Sequence, residues 1–134
     1  MVIENDFYRI ALFTNVLDVQ VFHAWEKATT LDHCHTAEDL VRRYMDGPWG
    51  IAADLRHWSL HSGVAFDIFL RHHKWTMERG LKYQAVILPP AGIKRWRINS
   101  VLADDYQIKS YIANNHDEAM DWLRHQGLQI KPVD

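Results

Sequence analysis

The feature that most constrains the fold is the run Trp49 to Leu55, WGIAADL, a nearly continuous apolar segment of strand length. Gly47-Pro48 precedes it, and a helical pattern ending at Gly80 follows it. A strand apolar on both faces must be covered on both, which places it centrally in a parallel sheet flanked by helices. Gln84 to Leu88 repeats the pattern and stops at Pro89-Pro90, and Gln107 to Ile112 reads as another strand. Between and after these runs lie helical patterns at Val64 to Arg79, at Ile93 to Ala103, and from an Asn115 cap to Gly127. In the last of them Ala119, Trp122 and Leu123 form the inward face. An earlier helix reads from Thr36, because Thr36-Ala37-Glu38-Asp39 resembles a capping box and Leu40, Val41 and Tyr44 share a face. Gly47-Pro48 stops it, and whether it reaches back through Glu26 to Leu31 stays open.

The first 26 residues admit two readings. Phe7 to Phe13 is rich in β-formers, and Leu17, Val19 and Val21 alternate with Asp18 and Gln20, as in a half-buried strand. Thr14-Asn15 would then be the turn of a hairpin. The competing reading is a helix from Asp18 with Val21, Phe22 and Trp25 on one face; the hairpin is preferred. Strands alternating with helices after a hairpin give an α/β sandwich. Its sheet is mainly parallel, of about five strands, with about four helices and right-handed crossovers. With no repeat, low-complexity tract or linker, residues 1–134 read as a single domain.

Composition sets limits on function. A net charge of −2, from 15 basic and 17 acidic residues, provides no general attraction for nucleic acid or anionic membrane. Met1 to Phe7 carries Glu4 and Asp6 and does not read as a signal peptide. No apolar stretch is long enough to span a bilayer. The single cysteine, Cys34, has no internal disulfide partner, which fits a reducing, cytoplasmic compartment.

Two strings carry a resemblance. Pro48-Trp49 followed by Ile51-Ala52-Ala53-Asp54-Leu55 is similar to the central strand of SpoIIAA-like proteins. Glu118-Ala119-Met120-Asp121-Trp122-Leu123 is similar to their closing helix. In order and spacing, about Phe7 to Gly127 resembles the STAS domain, the fold of the bacterial anti-anti-sigma factors. The resemblance implies a non-catalytic protein-binding or regulatory module. In those factors an Asp-Ser-Ser-Gly stretch opens the next helix, and the serine before the glycine is a phosphorylation switch. Leu60-His61-Ser62-Gly63 is the matching stretch here. Ser62 is thus the candidate phosphoacceptor, but Leu60 and His61 replace the Asp and the first Ser, so a working switch is not expected. N-capping accounts for Ser62 on its own.

The helix from Val64 to Arg79 is apolar on two sides. Val64, Ile68, His72 and Trp75, with Ala65 and Phe69 beside them, should pack on the sheet. Phe66, Leu70 and Met77 form a second stripe, to be covered by a neighbouring helix, a protein partner or a second copy. Lys94-Arg95-Trp96-Arg97 adds an aromatic residue between cations, with Arg95, Trp96 and Arg97 as partner contacts. Nucleic acid is not expected without a wider basic surface. The candidate partner surface is therefore Ser62, Phe66, Leu70, Met77, Arg95, Trp96 and Arg97. A rival reading, drawn from the likeness of such domains to Sec14-type lipid binders, is a carrier of a small apolar or lipid-like ligand, with some of the six tryptophans lining its pocket.

Nine histidines raise the question of a metal. His33-Cys34-His35 lacks separated ligand pairs, and His57 and His61, four apart, fall where Trp58 to Gly63 reads as a loop. His72 lies on an apolar helix face. No metal or cofactor is expected on this spacing. Cys34 with His33 or His35 lacks a third orienting group, Asp104-Asp105 reads as a solvated turn, and no phosphate-binding glycine loop is present. The expectation is not an enzyme.

Overall fold

The computed structural model describes residues 1–89 and 107–134. Its strands are β1 (Val2–Glu4), β2 (Tyr8–Leu12), β3 (Val16–Trp25), β4 (Trp49–Leu60), β5 (Leu81–Ile87) and β6 (Lys109–Ala113). Its helices are α1 (Lys27–Tyr44), α2 (Gly63–Glu78) and α3 (His116–His125). The six strands form one sheet in chain order. β1, β2 and β3 pair antiparallel, and β3 to β6 pair parallel. Among the described residues the sheet is thus mixed, with six strands rather than about five. The helix expected at Ile93 to Ala103 lies outside the described residues.

The opening hairpin forms because period-two alternation wins over the helical reading. Tyr8↔Val21, Ile10↔Val19 and Leu12↔Leu17 are cross-strand pairs with buried side chains. β3 runs on to Trp25 past a register shift, with His23 at φ 71°. Two expectations need correction. Thr36 does not start α1, which begins nine residues earlier, at Lys27. Its hydroxyl donates instead to the Asp32 carbonyl at 2.9 Å, one turn back. The segment from Trp58 is not a loop either. β4 continues to Leu60 and pairs with β3 as far as Trp25↔Leu60.

The sheet divides the core in two. On one face Leu17, Val19, Val21 and Trp25 pack with Ala37, Leu40 and Val41 of α1 and Met77 of α2. On the other, Val16, Ala52, Ala85 and Ile87 pack with Ala119, Met120 and Leu123 of α3. Alternate residues of the central strands therefore feed opposite layers, which explains why their sequences are apolar throughout. Two glycines make close approaches possible. A Cβ on Gly50 would lie 2.5 Å from Leu128 Cδ1, and Gly80, at φ +100°, turns α2 into β5 with Gly47 O close by. No helix among the described residues is long and apolar enough to cross a membrane.

Candidate functional site

The β4–α2 junction positions the first candidate residues. Ser62 is the N-cap of α2, and its Oγ accepts from the Ala65 N–H at 3.1 Å. The hydroxyl thus satisfies one of the helix's unpaired donors. Beyond it the inward stripe is Ala65, Phe69, His72 and Thr76, spaced by four, three and four residues. The expected inward stripe was rotated, because Val64 faces outward at 52% exposure while Ile68 and Trp75 are half-buried. Phe66 is 41% exposed and Leu70 half-buried. Met77 requires correction as a partner contact. It is 3% exposed and belongs to the core beside α1, because α1 lies against that side of α2. Arg95, Trp96 and Arg97 lie outside the described residues. Val64 is the surface residue that the sequence reading missed, since its helical phase assigned it to the sheet.

Under α2 lies a chain of rings. Phe69 contacts Trp58 at 5.2 Å between centroids, Trp58 contacts Trp25 at 5.6 Å, and Trp25 contacts His33 at 5.0 Å. These residues, with Val21, Ala53, Leu55 and Val86 from the sheet, line a mainly apolar cleft with about 60 Å³ of room. His33 Nδ1 and Trp58 Nε1 are buried beside it with no hydrogen-bond partner among the described residues. Burial, reinforced by the charge of His72, pushes His33 down to about 3 and His73 down to about 4. Both rings are therefore neutral near pH 7.

The α1–α2 seam contains the other chemical grouping. His72 Nδ1 donates to Glu38 Oε2 at 2.8 Å, and Arg42 lies 3.6 Å from Glu38 Oε1. The hydrogen bond from His72 is the main cause holding the Glu38 carboxyl below its usual range, against the opposing effect of burial. Cys34 is 2% exposed. Burial first, and then the Glu38 charge, push its thiol up to about 12, so it is a poor nucleophile at neutral pH. The donor atoms of Cys34, Glu38 and His72 lie within 4.8 Å of one another. Reading His33-Cys34-His35 as a local string concealed this set, whereas Cys34 and Glu38 share a helix face and His72 arrives from α2. A start of α1 at Lys27 would have revealed the i, i+4 pair.

On the opposite sheet face the buried carboxylates are paired. Asp18 Oδ2 lies 2.7 Å from His116 Nε2, and Asp54 takes a two-pronged bond from Arg56, Nε at 3.0 Å and Nη2 at 2.8 Å. Burial raises the pKa of Asp54, but the Arg56 hydrogen bonds and charge outweigh it, so this carboxyl titrates below its ordinary range.

No family model matches the sequence, and no curated protein matches it. Among solved structures, an uncharacterised protein of the DUF3478 family from Shewanella loihica PV-4, described as having a SpoIIAA-like fold, superposes with a TM-score of 0.68. It shares 13% sequence identity, and the match covers 92% of this chain and 98% of that one. The mixed sheet, the helices on both its faces and this superposition together give the chain a SpoIIAA-like, STAS-type fold.

Proposed function

We propose that the protein is a non-catalytic binding module, regulatory in character, that engages a protein partner through the first turns of α2. The observation that carries this reading is the exposure of Val64 and Phe66, 52% and 41%, immediately after the Ser62 cap. Phe66 and Leu70, one turn apart on the same face of α2, suit a partner's apolar pocket, while Val64 is exposed on the opposite flank of the helix. A phosphoserine switch forms no part of this reading, since Leu60 and His61 stand where the resemblance would have Asp and Ser, and N-capping accounts for Ser62. The test compares immobilised wild type with Phe66→Glu in native cytosol, by quantitative mass spectrometry. A specific protein retained by wild type and depleted at least about tenfold by the variant, at unchanged melting temperature, is the expected result. Identical retained sets would overturn the reading. Loss of a self-association equilibrium in the variant, seen by light scattering, would identify the partner as a second copy.

The cleft beneath α2 favours a second reading, carriage of a small ligand. Trp58 Nε1 is a buried donor without an acceptor among the described residues, and an occupant with an acceptor atom would recover that cost. Its room of about 60 Å³ is well below the roughly 150 Å³ that encloses benzene in an engineered cavity. A lipid chain would require α2 to move, so an occupant of the present cleft is no larger than a few heavy atoms. Native mass spectrometry of the untagged protein, purified without organic solvent, is expected to reveal such an adduct on this reading.

A further inference from the structure

α1 and α2 lie side by side, and their seam brings a thiol, a carboxylate and an imidazole to one point. Cys34 and Glu38 stand four residues apart on one face of α1, and His72 meets them from α2. We propose that Cys34, Glu38 and His72 form a binding site for a borderline-soft divalent cation of the zinc type, with one coordination position left for water or an outside ligand.

The geometry allows it. Bonds of about 2.0–2.3 Å to a tetrahedral ion place its donors roughly 3.3–3.8 Å apart. The three donor atoms here already lie within 4.8 Å of one another, so side-chain rotation suffices. Donor chemistry selects the ion: sulfur and imidazole nitrogen disfavour magnesium and calcium, which prefer all-oxygen sites. Charge also balances, because one thiolate and one carboxylate neutralise a divalent ion in a seam where Cys34 is nearly inaccessible. Around the set, Arg42 steadies the second oxygen of Glu38, and the rings of His33 and Phe69 flank His72, each 6.2 Å away between centroids. On binding, the Cys34 thiol loses its proton to solvent. His72 coordinates through Nδ1, its remaining ring proton on Nε2. The Nδ1–Glu38 hydrogen bond is exchanged for two metal bonds, and at least the thiol proton is released per ion.

The competing account makes the Glu38–His72 bond an interhelical clasp and Cys34 core filling. The untagged full chain, stripped with chelator, separates the two in a titration with cobalt(II). Because the chain has one cysteine, a thiolate-to-cobalt charge-transfer band in the wild type reports Cys34 without any variant. The expected result is that band, saturating at one equivalent, with at least one proton released per ion and displacement by zinc. Cys34→Ser should abolish the band, and His72→Gln and Glu38→Gln should weaken cobalt binding at least about tenfold. A His57→Gln, His61→Gln double variant should bind as wild type does. Stoichiometric uptake without the band, or no uptake at micromolar cobalt, would overturn the proposal.

Discussion

The Ser62 hydroxyl accepts from the Ala65 N–H and so caps α2. Ser62→Ala should lower stability by about 1 kcal/mol and Ser62→Gly by only a few tenths, because glycine is also tolerated at an N-cap. Urea unfolding of the three proteins checks the order; equal midpoints would show that the cap contributes nothing. Asp54 makes a prediction in pH. Its folded pKa lies below its ordinary 3.8, so its contribution is complete above that value and is lost as pH falls through the folded one. Arg56→Gln removes the cause. Wild type should exceed the variant by up to about 1 kcal/mol at pH 7, since Arg56 is partly exposed and screened. The gap should close as pH drops below about 4 and shrink in high salt. A gap that widens towards low pH would contradict the assigned sign.

At the scale of elements, legibility followed how conventional each boundary was. α3 was readable because Asn115 caps it, accepting from Glu118 N–H, and Gly127 follows at φ +92°. α1 was readable only from its middle. Its N-cap, Glu26, makes no side-chain cap bond, and its inward positions Thr30, His33 and Cys34 are not the residues that announce an apolar stripe. Their polarity is accommodated locally: Thr30 Oγ1 donates to the Glu26 carbonyl, and His33 is kept neutral by burial. The outer half of β4 was missed because Arg56 and His57 interrupt the apolar run, although Trp58 and Leu60 resume a period of two. Gly50 fixes how closely the inner half of β4 approaches the α3 layer. Gly50→Ala would set a methyl against Leu128 Cδ1 at 2.5 Å and Leu123 Cδ2 at 3.1 Å. These two are side-chain ends that can yield in part, whereas the Tyr83 backbone carbonyl at 3.2 Å cannot readily, so a cost of about 1–3 kcal/mol is expected. Thermal unfolding measures it; an unchanged midpoint would mean that the α3 layer repacks without strain.

Across the whole molecule, the alternation of strands and helices was legible because each element's pattern is local. The candidate metal set was not, since it depends on which face of α2 meets α1, and that is decided by packing. His72 and Ala65 read as inward-facing and are buried, whereas Val64 does not follow them, and periodicity alone does not show that Glu38 of α1 meets His72. Closure of the chain on itself was equally invisible. Residues 131–133 return to the opening hairpin, where Phe13 and Pro132 form an isolated antiparallel bridge. Thr14 N–H donates to the Lys131 carbonyl at 3.0 Å, Val133 N–H donates to Leu12 at 3.1 Å, and the terminal ammonium of Met1 reaches the Val133 carbonyl. Nothing in Lys131-Pro132-Val133 signals a strand, because proline removes a donor and the partner lies more than a hundred residues away. These bonds tie the antiparallel edge to the end of the α3 layer. Truncation after Ile130 removes about three net hydrogen bonds and should cost roughly 2–4 kcal/mol. Amide exchange localises the effect: Thr14 N–H should lose its protection, while the β4 and β5 amides weaken only with global stability. If Thr14 stayed protected in the truncated chain, the hairpin would be self-sufficient and the tail a surface ornament without a structural role.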